Sequence, residues 1–349
     1  MPGKNKIQRS GFESFGGYLE AVCHFLRKFS NTWQNECHEL AEQALAELEL
    51  EETFYPEMVE IMDQLAYQRW HKGKVDEALK ILELSDSYRE KNGFTQKQSW
   101  GIMTRAMILW NKGEYLNAME EMRLGLKRIE ATGESEGVLR WVMGVMYYDM
   151  KEYELSIENY LHTLKECEWD EYLEFNCFAY TCIGLGCAFK GQGKFSDASS
   201  YFIRALNKAR ENELWMEESR VLYEIGILES ELGKFESARK YLTESFEIRQ
   251  KYNNVFSSIS NLVALGELAH KEGDLQQAES FFQKGVDSAN LLGSIPKMEL
   301  CHRKLSDLYK SKGDFEHALK HLERSNELGV QLKKELQSDK FREVRKVVF

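Results

Sequence analysis

The strongest constraint on this chain is a turn that returns about every forty residues. It stands at Gly73, Gly113, Lys151, Gly193, Gly233, Gly273 and Gly313, at intervals of 40, 38, 42, 40, 40 and 40. Around each turn the residues read as the end of one helix and the start of another. LGCAFKGQGKFSDASSYFIRALNKAR (Leu185–Arg210) is the most regular copy, and IGILESELGKFESARKYLTESFEIR (Ile225–Arg249) follows in the same grammar. A fixed period of this length marks an array of small units, none of which buries its own apolar face alone. Glycine suits the turn because a left-handed residue ends the first helix, and a side chain there costs roughly 1 kcal/mol or more. Lys151 replaces it in MKEYELS, and the intervals of 38 and 42 beside it sum to 80. The register slips and recovers, which points to a longer loop around Glu168-Trp169-Asp170.

Three further positions keep step with the turn. Seven residues before it stand Ala66, Ala106, Gly144, Gly186, Gly226, Gly266 and Ser306. Five after it stand Ala78, Ala118, Ser156, Ala198, Ala238, Ala278 and Ala318. Two after it comes an apolar anchor: Val75, Tyr115, Tyr153, Phe195, Phe235, Leu275 and Phe315. Small residues at one fixed point on each helix let the pair approach, where a larger aliphatic would overpack at roughly 1–3 kcal/mol.

This pattern resembles the tetratricopeptide repeat, in which a small residue of helix A meets the alanine of helix B. The usual period there is about 34 residues, and the longer one here resembles the variants of signalling adaptors and peptide receptors. The resemblance implies an all-α fold, a right-handed α-solenoid superhelix of about seven to eight helix-turn-helix repeats with a C-terminal capping helix. The expected divisions are a disordered N-terminus (1–10), an N-terminal helix pair that is a divergent repeat or a cap (11–55), seven repeats (56–330) and an extension of the last helix (331–349).

Composition excludes several function classes. The net charge of −11 is spread along the chain, which disfavours a nucleic-acid surface built on phosphate-neutralising Lys and Arg. No apolar run approaches the ~20 residues that span a bilayer, and the first thirty residues lack the apolar core of a signal peptide. Seven cysteines without a CxxC pair read as reduced thiols, which fits a cytoplasmic protein. Neither nucleic acid nor membrane insertion is expected.

Chemistry-bearing motifs are missing. The glycines are spaced by the repeat rather than clustered as a phosphate-binding loop, and neither GxSxG nor HExxH occurs. Cys177, Cys182 and Cys187 are five apart, so each turns about 140° from the last on a helix and they cannot share one metal. His317 and His321 are four apart but have no further ligand pair nearby in sequence. The chain reads as no enzyme, with no cofactor, no catalytic residue and no metal.

What remains is a surface. The resemblance implies that helix A of each repeat lines a concave groove, at positions 2, 5, 9 and 12 when the small helix-A residue is position 8. Those positions fall on one helix face. The richest stretch holds Tyr67, Trp70, Trp100, Met103, Met107, Trp110, Trp141, Val145, Tyr148 and Tyr180; after it the set turns polar, with Arg220, Tyr223, Ser260 and Arg303. Trp, Met and Tyr are the residues that interface cores favour, so the groove is expected to take an amphipathic helix or a hydrophobic peptide. The competing reading packs these rings against one another. Position 6 reads Gln64, Thr104, Val142, Gly184, Glu224, Ala264 and Lys304, without the asparagine ladder by which relatives hold a peptide backbone. The Lys/Asn set that clamps a C-terminal carboxylate in relatives is missing as well. The expected function is a non-enzymatic adaptor for a protein partner in signalling or complex assembly. Its alternatives are the sensory region of a larger bacterial cyclase or kinase, and a receptor for a small apolar ligand or lipid. The continuing C-terminal helix is a candidate dimerisation surface.

Overall fold

The computed structural model describes residues 7–29, 34–48, 55–71, 74–95, 98–112, 114–169 and 171–335. Among them are sixteen α-helices and no strand. A 3₁₀ turn at Arg9–Gly11 precedes α1 (Phe15–Phe29) and α2 (Gln34–Leu48). Then come α3 (Pro56–His71), α4 (Val75–Asn92), α5 (Ser99–Asn111), α6 (Tyr115–Thr132), α7 (Gly137–Asp149) and α8 (Tyr153–Glu166). The remainder are α9 (Glu171–Gly191), α10 (Phe195–Glu211), α11 (Trp215–Glu231), α12 (Phe235–Lys251), α13 (Val255–Glu272), α14 (Leu275–Leu292), α15 (Ile295–Ser311) and α16 (Phe315–Glu335). They form two compact units, one reaching Gly184 and the other beginning at Leu185, so that α9 contributes to both.

Within a repeat the turn residue is left-handed: Gly193, Gly233, Gly273 and Gly313 have φ between 74° and 85°. The N–H of the next residue then reaches back five positions, as from Lys194 to the Phe189 carbonyl (2.9 Å) and from Asp274 to that of Ala269 (2.9 Å). This closes the first helix against its own last turn. Lys151 adopts the same conformation, φ 63°, despite its side chain. Gly73 and Gly113 lie outside the described residues. A second left-handed series, between repeats, escaped the sequence reading: Gly93, Gly133, Glu213, Asn253 and Gly293. Its period is hidden because glutamate and asparagine occupy two of the places.

The register slip has a different cause from the one expected. Only 167–170 separate α8 from α9, no more than the 133–136 stretch before α7. The long interval is taken up by helix length instead, with α8 cut to 14 residues and α9 extended to 21. The short interval before it keeps helices of 18 and 13 residues and has a shorter loop, 133–136 against 93–98.

The small helix-A residue also has a more specific role than letting two backbones approach. A side chain at Gly226 would meet Leu242 at 2.7 Å, one at Gly266 would meet Phe282 at 2.5 Å, and one at Gly144 would meet Tyr160 at 2.7 Å; at Gly186 it would run into Phe202. The large residue stands nine after each turn, at Leu82, Met122, Tyr160, Phe202, Leu242 and Phe282. All six are at most 3% exposed. Helix B therefore drives a bulky side chain into the gap that helix A leaves, and close packing rather than backbone contact sets the spacing.

The N-terminal pair follows the same economy. Tyr18, Leu19, Val22 and Leu26 of α1 pack with Ala41 and Ala44 of α2 and with Met58, Ile61 and Leu65 of α3. Of the stretch expected to be disordered, residues 1–6 lie outside the described ones, whereas Ile7 packs against this core. At the other end α16 runs to Glu335, and 336–349 lie outside the described residues.

Candidate partner-binding surfaces

In the first unit the predicted groove residues divide. Met103 and Trp110 are buried in the core, where the Trp110 indole N–H donates to Asp149 Oδ2 (3.1 Å) and its ring meets Tyr115 edge-on. The other eight, Tyr67, Trp70, Trp100, Met107, Trp141, Val145, Tyr148 and Tyr180, are half-buried. Several are in ring contact: Tyr67 lies 5.8 Å from Trp70 and 5.2 Å from Trp100, and Trp141 lies 6.1 Å from Tyr180. Tyr148 meets Tyr153 of α8 at 5.9 Å. The structure thus brings the rings of α3 and α5 together, and those of α7 and α9. Rings at such separations attract one another beyond the area they bury, so part of the groove is self-packed. The buried indole N–H of Trp141 and both polar atoms of the Gln64 amide have no hydrogen-bond partner among the described residues.

Below Tyr67, in the position expected to face the groove, Asp63 is instead committed to its own repeat. Its carboxylate is fully buried, accepts from Arg89 Nη2 (2.5 Å) and Ser85 Oγ (2.7 Å) of α4, and is overlain by Gly101 of α5. A Cβ at Gly101 would stand 2.8 Å from Asp63 Oδ2. Burial pushes Asp63 up to about 6, against the pull of Arg89 and Ser85.

The second unit carries a polar face. Lys190 of α9 pairs with Glu224 of α11 at 2.9 Å. Burial alone would raise Glu224, but Lys190 outweighs it and holds the carboxyl below its ordinary value. Arg249, near the end of α12, is 6% exposed. Its Nη1 donates to Asn261 Oδ1 and to the Ser257 carbonyl (2.9 Å), and its guanidinium lies 5.1 Å from the Tyr223 ring centre. These partners are all uncharged. Burial brings Arg249 down to about 10 and pushes Tyr223 up to about 12. Sequence reasoning missed Arg249 because it is on helix B, outside the expected groove positions.

The histidines singled out in the sequence are engaged separately. His317 contacts Asp314 at 2.8 Å, and His321 Nδ1 lies 2.9 Å from His302 Nδ1. Among the described residues no group of three or more His, Cys, Asp or Glu side chains is placed to hold a metal. Cys177, Cys182 and Cys187 are buried. No described helix is long and apolar enough to cross a membrane.

Residues 217–290, which span α11 to α14, match the family model of the tetratricopeptide repeat. These are tetratricopeptide repeats. No curated protein matches the chain. Among solved structures, the chain is similar to a Rap protein complexed with competence and sporulation factor, at 14% identity and a TM-score of 0.62, over 93% of this chain and all of that one. It is similar also to the Rap conjugation gene regulator of plasmid pLS20 in complex with the Phr* peptide, at 13% identity and a TM-score of 0.53, over 90% of this chain and 96% of that one. A STAND protein with a tetratricopeptide-repeat sensor from Pyrococcus horikoshii matches over 96% of this chain at 15% identity and a TM-score of 0.62, and this chain spans 50% of its length. Likeness at these identities establishes the fold, an all-α repeat solenoid.

Proposed function

We propose that this chain is a non-enzymatic scaffold that holds a protein or peptide partner against the half-buried aromatic face of its first unit. The observation that carries this reading is that Tyr67, Trp70, Trp100, Trp141 and Tyr180, drawn from four successive helix-A positions, remain half-buried rather than sealed in the core. Large rings held in place by ring contacts offer contact area at a low entropy cost to a partner. The two Rap proteins, one solved with competence and sporulation factor and the other with the Phr* peptide, support a peptide or protein as the class of ligand.

Trp100→Ala with Trp141→Ala is the informative pair, since Trp110 is a core residue whose loss would also disturb folding. In affinity capture from native lysate the double variant should lose at least about tenfold of a partner retained by the wild type, equivalent to roughly 1.4 kcal/mol, with helical circular dichroism unchanged. Equal capture by both proteins would overturn the aromatic face as the site.

A second copy of the chain is also a proposed partner, through α16. Leu322 occupies the bulky position buried in every earlier described repeat, yet it is 43% exposed, and Phe315 and Leu319 beside it are 69% and 55% exposed. Leu322→Glu should abolish a concentration-dependent dimer in sedimentation velocity; a wild-type chain that stays monomeric at all concentrations would refute the idea.

A further inference from the structure

The two arginines that end helix B four repeats apart, Arg89 and Arg249, occupy equivalent places but have different surroundings. Each follows a serine by four residues, Ser85 and Ser245. Each reaches the same helix-A position, which is Asp63 in one repeat and Tyr223 in the other. The same position of the next helix A differs too: Gly101 leaves room for the Asp63 carboxylate, whereas Asn261 supplies a neutral oxygen to Arg249. Arg89 thus has its anion built in. Arg249 has none: among the described residues no carboxylate lies within 4.0 Å of it, and its Nε is buried without a hydrogen bond.

A buried charge met only by neutral groups is costly, and proteins seldom keep one without a counter-charge. The neighbourhood adds cations. Lys297 of α15 donates to Ser260 Oγ (2.6 Å), lies 4.7 Å from the Phe256 ring centre, and is close enough to Arg249 for the two charges to oppose each other. It likewise has no carboxylate partner among the described residues. Arg220 stands nearby, and the half-buried Glu224, whose charge is felt at Arg249, is bonded to Lys190. Arg249 is one of the residues lining a cavity of about 430 Å³ between α12, α13 and α14, whose wall also holds Asn253, Ser258 and the oppositely charged Lys284 and Asp287.

We propose that Arg249 and Lys297 form a carboxylate-binding site in the second unit, in which the ligand supplies the anion that Asp63 supplies to Arg89. A planar guanidinium suits a carboxylate through paired N–H donors, with an ammonium as the second charge. The site rests on the partner-binding reading only for the source of its carboxylate, an Asp or Glu side chain or a chain terminus of a peptide.

The probe that stands apart from that reading is succinate. Thermal unfolding of the full chain should shift upward and saturate with succinate, beyond the shift given by sodium chloride of equal ionic strength. Arg249→Met should abolish the saturable shift, and Lys297→Met should raise its midpoint about tenfold. Arg249→Met is expected to fold, because it removes a buried charge without stranding another, and Arg249→Lys provides a charged control with weaker response. An absent or equal succinate shift in wild type and Arg249→Met would overturn the site, as would a response to inorganic phosphate with none to succinate. Synthetic random peptide pools with free and with amidated C-termini then separate the sources. Peptides retained by the wild type should be rich in Asp and Glu, or should need the free terminus, and this bias should vanish in Arg249→Met. Retention without any carboxylate bias defeats this site while leaving partner binding intact. A succinate response with no peptide retained upholds the site and defeats the peptide.

Discussion

Replacing Arg89 by Met should cost about 3–5 kcal/mol of unfolding free energy at neutral pH, read by urea-induced loss of helical circular dichroism. The loss arises less from the missing ion pair than from what it leaves behind. Asp63 has no exposed surface, and its remaining partner is the Ser85 hydroxyl. In the wild type, burial holds its carboxyl at about 6, above the ordinary 3.8. Between those values the folded chain keeps a proton that the unfolded chain has released, so this group's contribution to stability falls as pH rises from about 4 to about 6 and is level above. Without Arg89 the carboxyl rises further. The deficit of the variant should then shrink as pH is lowered through that higher value, because the neutral acid has no charge to bury. A deficit constant between about pH 5 and pH 8 would assign the loss to packing rather than charge. The same substitution at Arg249 strands no carboxylate, only the neutral acceptors Asn261 Oδ1 and the Ser257 carbonyl, so in the absence of ligand it should cost less than at Arg89.

That contrast also marks where sequence reasoning reaches its limit. Asp63 and Tyr223 sit at the same repeat position, and the resemblance to the tetratricopeptide repeat implied that both face a groove. What distinguishes them is a residue on helix B, Arg89 or Arg249, more than twenty positions away in the chain, whose long side chain returns to helix A. Periodicity reports which residues share a face, but a flexible charged side chain can cross to another face. The turn at Gly193 and the small residue at Gly186 were legible because each tolerates almost no alternative. Lys151 was legible as a substitute since its neighbours kept their register, and its φ of 63° shows that packing overrides the local cost. The aromatic set was only half legible. Trp100 and Trp110 read alike in sequence, yet one is half-buried and the other is pinned in the core by Asp149 and Tyr115. A helical period cannot separate the edge of a face from its centre, and half a turn of drift decides whether a ring is a contact surface or core.

Phe202→Ala should cost about 3–5 kcal/mol, at the upper end for a buried aromatic because its cavity has so little means of collapse. The wall facing it is Gly186, which has no side chain to move in, and Ala198 and Ala205 on its own helix are both fully buried. Gly186→Ala in the wild type places a methyl where the Phe202 ring stands. Overpacking of roughly 1–3 kcal/mol should exceed the roughly 0.5–1 kcal/mol that alanine gains over glycine within a helix. In the Phe202→Ala background that ring is gone, so the methyl enters empty space and only the gain remains. Gly186→Ala should therefore change sign, destabilising alone and stabilising in the double variant, with a coupling of about 1–3 kcal/mol in a urea-unfolding double-mutant cycle. Additive effects would mean that Gly186 and Phe202 are not one packing unit. The same cycle at Gly226 and Leu242 should give a smaller coupling, because leucine can shift to another rotamer where a ring wedged against a backbone cannot.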